Sequence, residues 1–246
     1  FNTKEFKYAL SLAINRPEIN EMSYLGLGVP RQCSYVSKSP FYSEEWANAY
    51  ADYNPKKAKE YLDNLGLKYG SGDFRLDPDG KPLQITIMYS KAQYTEILEL
   101  VKAYWQNIGI KTNIKMLERS LYEERQYSNK YDILAWQIAK LLRPDFETLN
   151  FIPLDKRHAA YGTLWGVWYE TDGESGVEPP ADVKKMFELN EELSSIDNWE
   201  RREKIMAEIA NIHAENIYMI GTVGETPVPA VVSSKIGNVP QKLMWT

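Results

Sequence analysis

Trp136 and Gln137 stand side by side just past a short apolar segment, and no other pair in the chain is as suggestive chemically. An indole offers a flat apolar face, and the amide beside it offers both a donor and an acceptor. Together they suit a sugar ring, whose faces are apolar and whose rim is hydroxyl. Trp165, Trp168 and Tyr169 form a second aromatic group around Gly166, in a segment that reads as irregular, where exposed aromatic surface needs a use. Glu147 adds a carboxylate able to accept hydrogen bonds. The competing reading is that Trp136 closes a core, Gln137 is an ordinary loop residue, and the Trp165–Tyr169 group plugs its loop onto the body of the protein. Tyr35, Phe41 and Tyr42 make a weaker third candidate.

Other chemistries find no constellation. His158 and His213 are the only histidines, and His213 falls on the apolar stripe of a helical pattern, the place of a core histidine rather than a ligand. Cys33 is alone, so neither an intrachain disulfide nor a Cys/His zinc cluster is available. The chain has no P-loop, no G-x-G-x-x-G and no G-x-S-x-G. Its 34 acidic residues allow a carboxylate pair for glycoside hydrolysis, but nothing singles one out. We therefore expect no metal, no cofactor and no catalytic residue. A net charge of −5 supplies no basic surface for nucleic acid. Apolar runs stop well short of the ~18 residues that read as a membrane span. The aromatic share of 13%, with 17 Tyr and 7 Trp, exceeds ordinary core needs and leaves residues for a stacking site.

The elements that must position these residues are legible from periodicity. Phe6, Ala9, Leu10, Ala13 and Ile14 share one helical face, and Arg16-Pro17 ends that helix and starts the next. Residues 26–52 read as a long loop, and Asn54-Pro55 opens a helix that stops at Gly66. Residues 69–82 read as a turn or hairpin around Asp79-Gly80. Alternation at Leu83, Ile85, Ile87 and Tyr89 predicts a strand, and Ile97, Val101, Tyr104, Trp105 and Ile108 a helix. A second strand follows at Ile110–Met116, a short helix around 120–128, and a third strand from Tyr131 to Trp136. This βαβαβ run over residues 83–138 implies an α/β fold with a mainly parallel sheet flanked by helices. Ligands of such open sheets sit beyond the carboxyl ends of the strands, here Tyr89-Ser90, Leu117-Glu118 and Trp136-Gln137. Residues 139–181 look irregular; two helices follow, carrying Val183–Asn190 and Ile205–His213. Ile217–Val223 and Val228–Val232 read as late strands separated by a turn.

Several motifs resemble the solute-binding proteins of family 5, which feed oligopeptide and oligosaccharide ABC importers. The opening helix carries Lys7, Ala9-Leu10-Ser11 and Ala13-Ile14-Asn15-Arg16, followed by Ile19. YNPKKAK (53–59) with Leu62 and Gly66, DPDGKPL (77–83), WQNIGIK (105–111) and YDIL (131–134) follow in the family's order. In that family the opening pattern lies near the start of the second lobe. The resemblance therefore implies that residues 1–246 are the C-terminal lobe of a periplasmic binding protein of type II, with the N-terminal lobe outside this sequence. Residue 1 is Phe, so the natural N-terminus is expected upstream. The whole protein is expected in the periplasm or outside the cell, lipid-anchored, with permease subunits as partners and no enzymatic activity.

One departure bears on the ligand. Peptide-binding members carry an acidic residue shortly after the Y-D strand, which holds the peptide's α-amino group; the matching position here is Leu141, with Asp145 and Glu147 a few residues on. A buried ammonium without a partner is strongly disfavoured. The Trp-rich segment, with Glu178-Pro179-Pro180 and the run Gly221–Gly224, resembles the sugar-binding members. The expected ligand is thus an oligosaccharide, with Trp136, Trp165, Trp168 and Tyr169 stacking and Gln137 and Glu147 hydrogen-bonding. An oligopeptide or opine is the alternative within the family, and a carbohydrate-active hydrolase the alternative from another class.

Overall fold

A computed structural model describes residues 3–138, 140–227, 231–233 and 235–239. Helix α1 (Lys4–Leu12) buries the face predicted from its spacing, with Phe6, Ala9, Leu10, Ala13 and Ile14 all at 4% exposure or less. Asn15 then caps α2 (Arg16–Tyr24) by accepting from Glu18 N, with Pro17 in the first turn. The expected loop after it contains a short strand, β1 (Val29–Pro30), and a five-residue helix, α3 (Glu44–Asn48). Ser43 caps α3, and burial of Trp46 and Ala47 holds it; neither signal spans enough residues to show a period. Helix α4 (Pro55–Asn64) starts at the Asn54 cap and packs Ala58 and Leu62 against α1. Gly66, at φ 77°, ends it in the left-handed region.

The sheet is the part that positions the site. Strand β2 (Gln84–Tyr89) is central, with β3 (Lys111–Met116) and β4 (Ile133–Leu134) parallel to it on either side. Helix α5 (Thr95–Asn107) connects β2 to β3, and α6 (Arg119–Tyr127) connects β3 to β4. Ile85, Ile87 and Tyr89 of β2 are buried, as expected of a strand covered by helices. On the edge strand β3 the alternation fades: Thr112 is buried, Ile114 half-buried and Met116 55% exposed. β4 is shorter than the apolar run from Tyr131 to Trp136 suggested, since only two of its residues pair with β2.

A second core lies around α8 (Ala181–Ser195) and α9 (Trp199–Asn216) and takes in Trp46, Phe151, Val183, Met186, Phe187, Ile205 and Ile209. The segment expected to be irregular includes helix α7 (Thr163–Glu170), which packs on this core. Its aromatic and glycine content hides an ordinary helical period, and Gly162 at φ 60° marks its start. Among the described residues of the expected late strands, only β5 (Val223–Gly224) forms, antiparallel to β1. Ile217–Thr222 is not a strand, because Ile217 ends α9 in the left-handed region and the next residues are held by side chains. Residues 228–230 of the other expected strand lie outside the described residues, and Val231 and Val232 are not in a strand.

Two buried polar side chains are specified by this packing. Arg16, at 0% exposure, donates to the carbonyl oxygens of Ser11, Ala51 and Gly221 and to Ser11 Oγ, at 2.8–3.0 Å. Arg16→Met should lower the unfolding free energy by about 3–5 kcal/mol in urea denaturation, since several buried acceptors lose charged donors together. His213, at 1% exposure, stacks on Trp46 and donates from Nε2 to the Phe151 carbonyl oxygen at 2.7 Å. Burial pushes its pKa down from 6.5 to about 4. The unfolded chain therefore takes up this proton first, so the contribution is complete above about pH 6.5 and lost as the pH falls to about 4. Stability measured across that window should fall, and His213→Asn should flatten that part of the profile.

Candidate ligand-binding site

The three parallel strands end at one edge. Tyr89 pairs with Met116 and Met88 with Leu134, and the ladder extends one residue further through Leu117 N to Tyr89 O and Ala135 N to Met88 O, both 2.8 Å. Polar and aromatic side chains follow each strand end: Lys91 and Tyr94 in the turn after β2, Arg119 and Tyr122 on the first turns of α6 after β3, and Trp136 and Gln137 in the loop after β4. Four of them, Lys91, Tyr94, Arg119 and Tyr122, converge on the Trp136 ring. Lys91 Nζ lies 4.4 Å and Arg119 Cζ 4.3 Å from its centroid. Tyr122, buried at 4% exposure, packs at 5.5 Å between centroids, and Tyr94 meets the indole edge-on at 6.4 Å. Tyr94 Oη donates to Gln137 Oε1 at 3.1 Å, which orients the amide and leaves its nitrogen as donor toward solvent.

Trp136 itself is 39% exposed. An indole ring attracts cations through its negative face, by about 0.5–1 kcal/mol each at exposed sites. Arg119 is also paired with Glu123 one turn along α6. Lys91 is half-buried, and its ammonium has no carboxylate within ion-pair distance among the described residues. The edge thus combines an aromatic platform, an oriented amide and a cation with spare charge. Spacing alone singled out Trp136 and Gln137. Lys91, Tyr94, Arg119 and Tyr122 lacked a local signal, although their place after the strand ends was one.

The other sequence candidates lie elsewhere. Trp165 packs edge-on against Tyr161 and Tyr218, and Trp168 lies under Lys184. Tyr169 packs on Phe187 at 4.4 Å and donates to Glu191 at 3.3 Å. All three are half-buried on α7 and belong to the second core. Tyr131 Oη lies 2.9 Å from Thr163 Oγ1, which sets the start of α7 beside the amino end of β4, opposite to the end that carries Trp136. Glu147 is exposed between two single-turn 3-10 helices, Pro144–Phe146 and Thr148–Asn150. Tyr35 and Phe41 are core residues, and Tyr42 is covered by the Arg31 guanidinium at 5.3 Å.

Asp145, the acid nearest to Leu141, is already engaged. Its carboxylate accepts from Arg143 Nε and Nη2 at 2.8 and 2.7 Å and from Arg202 Nε and Nη2 at 3.0 and 2.8 Å. Its side chain is 0% exposed. Burial alone would raise this carboxyl, but the hydrogen bonds and charges of the two guanidiniums outweigh it and hold the group below the usual carboxylate value. Buried and already taking four donors, it is not presented to a ligand ammonium in this arrangement. Arg202 Nη1 also ties the Leu193 and Ile196 carbonyls, so the network joins the loop after β4 to α8 and α9.

The sequence profile of the family described as "Bacterial extracellular solute-binding proteins, family 5 Middle" matches residues 1–151. The chain belongs to that family. It is 27% identical over 148 residues to the oligopeptide-binding protein AppA of Bacillus subtilis (strain 168), a match that covers 56% of this chain and 27% of AppA. Among solved structures it is similar to an oligopeptide-binding protein OppA, with a TM-score of 0.83 and 36% identity over 92% of this chain and 38% of that one. It also resembles the periplasmic binding protein MelB of Agrobacterium fabrum C58, solved with stachyose, at TM-score 0.73 and 19% identity, covering 90% of this chain and 33% of MelB. The chain thus spans about a quarter to two-fifths of the length of these relatives. The fold is that of the type II periplasmic binding proteins, and the relatives are named as binding proteins rather than enzymes. Asp145→Asn should cost about 3–5 kcal/mol in chemical denaturation, because two guanidiniums lose the charge that pairs them while Arg202 stays buried.

Proposed function

We propose that this chain is the C-terminal lobe of a solute-binding protein that serves an ABC importer. In this reading it holds a polar solute against the carboxyl edge of its sheet, closes over it by hinge motion against an N-terminal lobe, and delivers it to permease subunits. The whole protein would work outside the cytoplasmic membrane, tethered by a lipid anchor. The observation that carries the reading is the convergence of Lys91, Tyr94, Arg119, Tyr122, Trp136 and Gln137 at the edge where open α/β sheets take their ligands.

A short peptide is the ligand class this site favours. Two cations already lie over the Trp136 ring, which reduces the apolar face left for a sugar while adding charge that suits carboxylates. The names of the relatives OppA and AppA support the same class. The Asp145 network argues that such a peptide is not gripped by its amino end at that carboxylate. An oligosaccharide is the second reading, favoured by the 39% exposure of Trp136 beside the oriented Gln137 amide. This order reverses the preference drawn from the motifs alone.

Calorimetric titration of the whole protein, N-terminal lobe included, with tri- to pentapeptides and with tetrasaccharides decides between them. Peptides should give saturable binding without turnover, weakened about tenfold or more by Trp136→Ala, as expected for an aromatic anchor. Saturable binding of the sugars alone would reverse the ligand class, and turnover of either would remove the transport reading.

A further inference from the structure

Lys91 is an unusual group for the centre of a candidate site. The residue is half-buried, and its ammonium lies 4.4 Å from the Trp136 ring centroid and has no carboxylate partner among the described residues. Arg119 shares the same ring at 4.3 Å, but its charge is answered by Glu123. The spare positive charge of the edge is therefore that of Lys91. Helix α6, nine residues long, opens beside it, and its cap residue Glu118 turns no acceptor onto the first N–H groups. These groups add partial positive charge to the same edge.

We propose that Lys91 is a specificity-determining residue that selects ligands bearing a carboxylate. This inference rests on the binding site assigned above. A carboxylate carries a full opposite charge and hydrogen-bond acceptors, whereas the indole offers only its quadrupole. A carboxylate arriving at the edge is thus the better partner for the ammonium. Drawing the ammonium off the ring then uncovers Trp136 for an apolar part of the same ligand. The two events favour a ligand in which a carboxylate lies beside an apolar group. A terminal carboxylate and an acidic side chain offer the same chemistry, and the lysine accepts either because its three donors sit on a flexible stem.

The test compares trialanine, trialanine C-terminal amide, and a tripeptide amide with one glutamate side chain, on the whole protein with its N-terminal lobe, as wild type and as Lys91→Met and Lys91→Arg. Affinity is read by titration, with the Trp136 indole N–H followed by NMR and assigned through Trp136→Phe. Wild type should bind the free acid about fivefold tighter than the amide, the size expected of one partly exposed charge pair. Lys91→Met should abolish that ratio and Lys91→Arg should keep it. If the glutamate-containing amide matches the free acid, a side-chain carboxylate suffices; if it binds like the plain amide, the terminal carboxylate is the group recognised. Equal affinity of wild type for acid and amide, or a ratio unchanged in Lys91→Met, would overturn the inference while leaving the site in place. Failure of all three peptides to bind or to shift the Trp136 signal would overturn both the inference and the peptide reading.

Discussion

The guanidinium of Arg16 is the constraint around which distant parts of the chain are arranged. It is fully buried, and carbonyl oxygens rather than a carboxylate take up its charge: those of Ser11 at the end of α1, Ala51 before α4, and Gly221 before β5. Burial lowers its pKa to about 10, so the group remains charged at neutral pH and must be satisfied wherever it is buried. Gln32 completes the cluster by donating to Ser11 Oγ and the Ala49 carbonyl and accepting from Gly221 N. Residues 11 and 221 are thereby held to the same point, and the short β1–β5 ladder lies beside it. Space there is tight enough that a Cβ on Gly221 would sit 2.3 Å from Cys33 N.

The buried polar network around Asp145 does for the second core what Arg16 does for the first. Arg202 of α9 meets the carboxylate from within the core, and Arg143 meets it from the loop that follows β4. That loop begins with Trp136 and Gln137 and continues through Lys140, whose ammonium donates to Thr226 O at 3.0 Å, just after β5. The loop that carries the aromatic platform is therefore anchored at both cores rather than free at the sheet edge. Rigid support of this kind is what a site needs if three separate segments are to meet on one ring.

Legibility from the amino-acid sequence varied with the range of the interaction that formed each feature. The faces of α1 and β2, the Asn54 cap, and the β2–α5–β3–α6–β4 succession rest on neighbours in sequence, and all could be read there. Helix α7 could not, because two glycines and three large aromatics in eight or nine residues resemble a loop until packing on Tyr161, Tyr218 and Phe187 is known. The short helix α3 and the two-residue extent of β5 escaped for the same reason: they are held by tertiary contacts, not by a period. At the candidate site, Trp136 and Gln137 were visible as a pair, whereas Lys91 and Tyr94 after β2 and Arg119 and Tyr122 on α6 were ordinary residues of two separate segments.

The sequence by itself determined the α/β class, the parallel order of the central elements and the family, and it pointed to the edge of the sheet that is proposed as the ligand site. The fold features follow from short-range periodicity, capping and the rule that parallel strands end together, and the family from motifs that resemble its own in the same order. Only the tertiary structure decided that two cations share the Trp136 ring, that the α7 aromatics fill the second core, and that Asp145 is neutralised by Arg143 and Arg202. Each of these joins residues between two and about sixty positions apart, most of them through side chains on different elements. No local pattern records such a meeting, because it exists only once the elements have packed.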